Sequence, residues 1–368
     1  MGGPVAAEET AAADGGRRTG DRARGRRRGG TANLATVAAS AGVSIATVSK
    51  VVNGRSDVGP ETRARVQSLL EQHNYVGRRA EPATGTGPRT VELVFHGDQT
   101  GYALAILDGV LEAAARAGVS VAVSVRARRD HPVEQPPANV WVRQLVALDR
   151  TAVIDVVDDA RHGDLAALAR SKVPFVLLDP LSLPQREVPS IGTTNFSGAL
   201  TATQHLIDLG HRRIAHYGGP PEFLFSRARA HGYRAAMEGA GLPVPDGYVG
   251  VGSYDHAGGV AGGGALLDRP DRPTAIFAAT DESAAGVIEA ARLRGLRVPE
   301  DLSLVGFDDA PISRLLSPPL TTVRQPLLEM GRVALQTALR LAAGEPLEVH
   351  HVELATELIV RASTAPPV

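Results

Sequence analysis

Apolar residues recur three and four positions apart at Leu34, Val37 and Ala38, then at Val48, Val51 and Val52, then at Val66, Leu69 and Leu70. That period predicts three short amphipathic helices within residues 33–75. Beyond residue 90 the pattern changes. Short β-branched runs at 91–95, 119–125, 152–157, 175–178, 213–217, 248–251, 275–278 and 302–305 read as strands. Ala/Leu-rich stretches at 102–116, 138–148, 163–171, 197–209, 226–240, 257–267, 282–294 and 327–342 read as helices. Residues 350–361 read as extended. Strict β-α alternation predicts parallel sheets wrapped by helices. About eight such units are too many for one small open sheet. Two doubly wound lobes fit, and so does a barrel.

The first two helices carry a recognisable join. In LATVAASAGVSIATVSKVVN (34–53), Asn33 is placed to cap the first helix, and Gly42 to end it in a left-handed turn. Ser44 caps the second helix, and Pro60 opens the third. Helix, glycine turn and capped helix make a helix–turn–helix, whose second helix enters the DNA major groove. Ile45, Ala46, Ser49 and Lys50 fall on its outer face. Lys50 can donate to guanine, and Ile45 and Ala46 can touch thymine methyls. Thr47, Asn53, Arg55 and Thr62 are placed for phosphates and register, and Asn33, Thr36 and Ser44 are further DNA-binding candidates. An ordinary three-helix domain with solvated polar residues would share the helices. It would not need the turn, the cap and the basic charge together.

Charge sharpens this. Net charge is −1, but residues 1–16 carry −3, residues 17–89 carry +9 and the remainder carries −7. A basic N-terminal module on an acidic body suits a polyanion partner, here double-stranded DNA. Residues 1–30 have no apolar period and contain an arginine cluster, so they read as a disordered basic tail. The tail is either an arm on phosphates or simply solvated. Residues 77–89 have linker composition. The chain has no cysteine, which excludes disulfides, thiolate catalysis and cysteine-based metal sites. No apolar run of 18 residues and no secretory signal are visible, so a cytoplasmic, nucleoid-associated protein without a membrane partner is expected. No cofactor and no metal are expected.

The segment AxxAGVSxATVSxVxNG with ETRxRV and Tyr75 resembles the DNA-binding headpiece of the lac repressor family. The resemblance continues through VPFVLLD (173–179), HLIDLGHRRIAHYGG (205–219), RAHGYRAAM (229–237), TAIFAATDESAAGV (274–287), VPEDLSLVGFDD (298–309) and PPLTTVRQP (318–326). It covers about residues 33–362. It implies an effector-controlled repressor that binds a pseudo-palindromic operator as a homodimer. It also implies an α/β core of two doubly wound lobes resembling periplasmic sugar-binding proteins. The expected layout is a headpiece at 31–76, a hinge at 77–89, a core at 90–362 and a tail at 363–368. One lobe is expected at about 90–192 plus 320–346, the other at 193–319 plus 347–362. No leucine heptad follows Arg361, so dimers rather than tetramers are expected. The hinge departs from the family pattern. VGRRAEPATGTGPR has no leucine to wedge into the minor groove, which leaves Arg78 and Arg79 to hold it or the hinge irregular.

Ligands of open α/β sheets sit beyond the carboxyl ends of the strands. Asp179, Thr280, Asp281 and Asp308 fall at such ends, and Arg229 lies early in the 226–240 helix. Carboxylates accept vicinal sugar hydroxyls, arginine donates in pairs, and aromatic faces cover the apolar side of a sugar. Tyr102, Phe196, Phe223 and Tyr254 are the aromatic candidates. Arg229 and Asp308 match the family's ligand-binding pair. Thr280 stands where the family commonly has asparagine. Asp281 could instead cap a helix, Asp309 could be a turn residue, and Phe196 and Phe223 could be plain core. His205, His211 and His216 lack the spacing of a metal site, and Gly258–Gly264 lacks a phosphate fingerprint. A second reading, a sugar-binding or sugar-processing protein with a non-functional headpiece, gains from the irregular hinge. It loses because no export signal or catalytic constellation is visible. An activator would differ only in operator position.

Overall fold

The computed structural model describes residues 34–52, 55, 57–72, 89–96, 100–126, 137–157, 167–168, 170–183 and 187–368. The N-terminal unit begins with α1 (Leu34–Ala41), α2 (Ile45–Val52) and α3 (Pro60–Gln72). Gly42 takes φ +65 and turns the chain, so α1 and α2 are bent 107° from one line. The Ser44 hydroxyl accepts the Thr47 N–H at 3.1 Å, as an N-cap should. Val37, Ala38, Ala41, Val48, Val51 and Val66 are buried. Val52 was expected inward but is exposed, because Val48 and Val51 already fill the stripe.

The C-terminal unit holds two six-stranded sheets. The first contains β1 (Thr90–His96), β2 (Ser120–Arg126), β3 (Arg150–Val156), β4 (Phe175–Leu178), β5 (Ser190–Thr193) and β11 (His351–Leu354). Its order is β11-β5-β4-β3-β1-β2, all parallel. Helices α4 (Gly101–Ala117) and α11 (Leu327–Ala342) pack on one face through Ile106, Val110, Met330 and Leu335. Helix α5 (Ala138–Ala147) covers the other face through Trp141 and Val142. The helix expected at 163–171 lies mostly outside the described residues; 167, 168, 170 and 171 are helical.

The second sheet contains β6 (Ile214–Gly218), β7 (Val249–Val251), β8 (Ala275–Ala278), β9 (Ser303–Asp308), β10 (Thr321–Arg324) and β12 (Glu357–Ile359), in the order β12-β10-β9-β8-β6-β7. Only β12 runs antiparallel. Helices α6 (Asn195–Asp208) and α7 (Leu224–Gly239) cover one face. Helices α8 (His256–Leu267) and α9 (Asp281–Arg292) cover the other, and α10 (Ile312–Leu315) is a single turn. Helices on both faces of two open sheets make two doubly wound lobes, not a barrel.

The lobe boundaries differ from those expected at 319/320 and 346/347. β10 pairs with β9, so the chain stays in the second lobe through Arg324. α11 packs on the first sheet and β11 pairs with β5, so the chain stays in the first lobe through Leu354 before β12 crosses back. The extended stretch 350–361 is therefore two strands of different lobes. Nor is the end of the chain a free tail. Ser363 and Ala365 bond to Leu304 and Ser303 beside β9. Thr364 and Ala365 engage His205 and His211, giving those histidines a packing role.

The glycine run in α8 serves close packing. A methyl group at Gly259 would sit 2.0 Å from the Ser283 carbonyl oxygen, and one at Gly286 2.1 Å from that of His256. Gly259→Ala is therefore expected to lower stability by about 1–3 kcal/mol, although alanine favours a helix by about 1 kcal/mol over glycine. Urea unfolding measures it; a stabilised variant would show that α8 and α9 have room to move apart.

Candidate functional site

On the N-terminal unit, Ile45, Ala46 and Lys50 lie exposed along one side of α2, with Ser49 half-buried among them. Ser49, Lys50 and Arg55 border one hollow together with Asp57. Asp57 was not anticipated from the sequence. Its carboxylate takes the Lys50 ammonium at 2.7 Å, and that bond holds the Asp57 carboxyl below its usual range. Ser44 and Thr47 spend their hydroxyls on each other at 2.9 Å. Thr36 is exposed on α1. Asn33, Asn53, Arg78 and Arg79 lie outside the described residues.

In the C-terminal unit a cavity of about 600 Å³ opens between the lobes. It sits at the carboxyl ends of the strands, as open α/β sheets dictate. The first lobe lends Phe95 and His96 at the end of β1, Tyr102 from α4, Val156 and Val157 at the end of β3, and Asp179 after β4. The second lends Arg229 from α7, Ser253 and Tyr254 after β7, Thr280 after β8, Glu282 from α9 and Asp308 at the end of β9. Asp179 and Asp308 have φ of 51° and 113°, backbone turns that side chains seldom adopt. Aspartate tolerates such turns better than most residues.

The polar groups form two sets. Tyr102 donates its hydroxyl to Asp179 at 2.7 Å. Arg229 and Asp308 lie 3.8 Å apart, both nearly fully buried. The guanidinium is held by the Asn195 side chain at 2.8 Å and by the Ala279 carbonyl, and lies 3.8 Å from the Phe307 ring centroid. Among the described residues, Arg229 is the one arginine on a lining that also carries the carboxyl groups of Asp179, Glu222, Asp255, Glu282 and Asp308, a site rich in acceptors. Burial raises Asp179, Glu282 and Asp308, and pushes Asp308 up to about 8. A carboxyl that is neutral at pH 7 both donates and accepts, which suits a hydroxyl.

The Asp308 shift predicts a pH dependence. An unfolded aspartate titrates near ~3.9. Between that value and about 8 the folded chain keeps a proton that the unfolded chain has released. Stability therefore falls as pH rises through this window and levels off above it. Asp308→Asn should flatten the fall; the slope that remains combines Asp179, Asp281 and Glu282, which are also raised, with the opposite contribution of His205, His211 and His216, which burial lowers. Urea melts at pH 5 and pH 8 test this, and an unchanged slope would place the ionisation elsewhere.

Tyr102, Asp179, Arg229, Tyr254, Thr280 and Asp308 all line this cavity. Three other candidates do not. Phe196 borders a separate hollow with Thr194 and His351. Phe223 packs against Phe225, with ring centroids 5.7 Å apart, and it is Phe225 that lines the cavity. Asp281 is fully buried and accepts from the Thr322 hydroxyl at 2.5 Å and the Ala310 N–H at 2.7 Å. Nor is Asp281 the cap of α9: Thr280 is, in a capping box with Ser283. Asp309 is structural, bound by Arg324 and Arg361. His96, Glu282 and Phe225 were missed. Strand-end position was the available signal for His96, and a place in the first turn of α7 was the signal for Phe225. Asp155 bonds to His96 at 2.6 Å.

A helix–turn–helix unit and a two-lobed ligand-binding core in one chain define a ligand-responsive DNA-binding regulator. The chain belongs to the lacI family of bacterial regulatory proteins. That family model matches residues 33–77, and a periplasmic binding protein-like domain matches residues 203–364. Catabolite control protein A of Priestia megaterium is 32% identical over 89% of this chain and 98% of its own length. The HTH-type transcriptional regulator CelR of Thermobifida fusca is 35% identical over 90% and 97%. Among solved structures, a CelR–cellobiose complex aligns with TM-score 0.68 and 32% identity, covering 90% of this chain and 99% of that one. A lac repressor dimer bound to operator and the anti-inducer ONPF aligns with TM-score 0.65 and 28% identity, covering 91% and 100%. Among the described residues, no single helix is long and apolar enough to cross a membrane.

Proposed function

We propose that the protein is a cytoplasmic, nucleoid-associated transcriptional repressor whose operator affinity is set by a sugar bound between its lobes. The observation that carries the reading is the Arg229–Asp308 pair, buried beneath a cavity that also holds the Tyr102–Asp179 pair and Tyr254. Paired acceptors, one planar donor and aromatic faces fit a polyhydroxylated, uncharged ligand. The cellobiose bound to a relative supports the same class. Thr280 spends its hydroxyl on its cap and on the Tyr254 carbonyl, so it offers the ligand little. Residues 31–76 serve as the DNA-binding domain and 77–89 as the hinge; residues 73–88 lie outside the described ones. A homodimer places two copies of α2 on a pseudo-palindromic operator. The protein regulates and does not catalyse; turnover of a glycoside by the purified chain would overturn that.

The test is a titration of the purified chain against its own upstream intergenic DNA, at two salt concentrations, with and without a panel of sugars. Sequence-specific, salt-sensitive binding that one sugar changes is expected. Equal binding to unrelated DNA would reduce the N-terminal unit to a source of charge and end the repressor reading.

A further inference from the structure

The chain crosses between lobes three times: after β5 at Thr194, after β10 at Gln325, and between β11 and β12 at residues 355–356. The crossings are bonded to one another. The Thr194 hydroxyl accepts the Thr356 N–H at 3.0 Å. The Thr193 hydroxyl donates to the Gln325 side-chain carbonyl at 2.5 Å. Gln325 then donates its side-chain amide to Asp308 at 2.6 Å, and its backbone N–H to the Asp308 carbonyl at 3.2 Å. On the other side, the Asn195 amide donates to the Thr193 carbonyl at 3.1 Å, while its oxygen accepts from Arg229 at 2.8 Å. Four hydrogen-bonded links and one 3.8 Å ion pair, between Asp308 and Arg229, complete a polar circuit: Thr193, Gln325, Asp308, Arg229, Asn195 and back to Thr193. Each member is less than 10% exposed. Gln325 lines neither the cavity nor the neighbouring hollow, and Thr193 borders only the hollow.

We propose that Gln325 is a positioning residue that ties the ligand-holding Asp308 to the lobe crossings, so that effector binding and lobe rotation share one polar circuit. The inference rests on the effector reading of Arg229 and Asp308. Gln325 is suited to the task by its two opposite ends: its amide must meet the carboxyl, so its carbonyl must meet the threonine hydroxyl. Rotation of the lobes about Thr194 and Gln325 must either stretch the Thr193 bond or move Asp308. Among charged and titratable groups near Asp308, Arg229 comes from α7, Glu282 and Asp281 from α9 and Asp179 from the end of β4. None of these bridges the crossings as Gln325 does.

The experiment uses the full chain with Gln325→Met, Thr193→Val and Thr193→Ser, and the double variant Thr193→Val/Gln325→Met. Operator affinity is measured with and without cellobiose and with whichever panel sugar alters the wild type. Gln325→Met and Thr193→Val should each cut the sugar-induced change in operator affinity by about fivefold or more, within the usual range of such couplings. Sugar-free operator affinity should stay within about threefold. Thr193→Ser should restore the coupling, because it keeps the hydroxyl. The double variant should lose no more than the single ones. Full coupling in Thr193→Val, or additive losses, would overturn the proposal.

A second arm needs no sugar. Carbon-13 titration of the Asp308 carboxyl in the same variants should move upward in Gln325→Met and also in Thr193→Val, but not in Thr193→Ser. An Asp308 titration that is indifferent to Thr193 would overturn the circuit. If the circuit holds here while no sugar changes operator binding, the effector reading has failed and the coupling claim falls with it.

Discussion

Arg229→Met is expected to weaken sugar binding by about two orders of magnitude while leaving sugar-free operator binding close to wild type. The loss follows from geometry. The guanidinium is 3% exposed, and two of its nitrogens are already fixed by Asn195 and the Ala279 carbonyl. The third faces Asp308 at 3.8 Å, beyond hydrogen-bond reach, so donor capacity remains for a ligand. Hydrogen bonds to a charged group contribute about 1.5–3 kcal/mol each, so one or two lost contacts give roughly 10- to 10⁴-fold. Methionine keeps the volume over the Phe307 ring but leaves Asn195 and Ala279 without their donor, at about 1–3 kcal/mol per group. Calorimetry of the DNA-free chain with the active sugar reads the first effect and urea unfolding reads the second. A variant that binds sugar normally would remove Arg229 from the site.

The double variant Ser49→Ala/Lys50→Ala is expected to reduce operator affinity by a thousandfold or more, with sugar binding intact. Each good base contact contributes about 1–3 kcal/mol of discrimination, and a dimer loses every contact twice. Lys50 first has to leave Asp57, to which it is bonded at 2.7 Å. Both side chains are about half exposed, so that exchange costs little, in the range of about 0–1 kcal/mol. Asp57→Asn should therefore act in the opposite direction. It should strengthen binding to unrelated DNA several-fold and steepen the salt dependence, because one more cation is free for phosphate. Fluorescence anisotropy on operator and scrambled DNA at two salt concentrations separates the cases. Equal losses on both DNAs in the double variant would mean that Ser49 and Lys50 contribute charge and no reading of bases.

Sequence reasoning went furthest where the physics is local. The turn at Gly42 and the cap at Ser44 involve neighbours only, and both appear in the structure. The apolar strands are legible for the same reason, since a parallel strand covered on both faces is a short apolar run. β10 was missed because its first two residues are threonines, both fully buried. Their hydroxyls are satisfied by the Arg361 N–H and by Asp281, about forty residues away in each case. No local pattern announces a polar strand whose partners are that remote.

The cavity divides along the same line. Arg229, Asp308, Asp179, Tyr102, Tyr254 and Thr280 could be placed near one another by strand-end position and by family resemblance, and all six line the cavity. Position along a strand could not say which way a side chain turns. Asp281 follows Thr280 directly but points into the lobe, bonded to Ala310 and Thr322. Phe225 took the place intended for Phe223 because α7 begins at Leu224 and turns Phe225 inward. By itself the sequence determined the helix–turn–helix, the α/β class and the basic-to-acidic division of the chain, because these depend on period, caps and composition; strand-end position and family resemblance added six residues of the cleft. Only the tertiary structure decided where the chain crosses between lobes, that Asp57 holds Lys50, and that Gln325 joins Asp308 to the crossings. Each of these is a contact between side chains or strands whose separation along the chain carries no signal of their meeting.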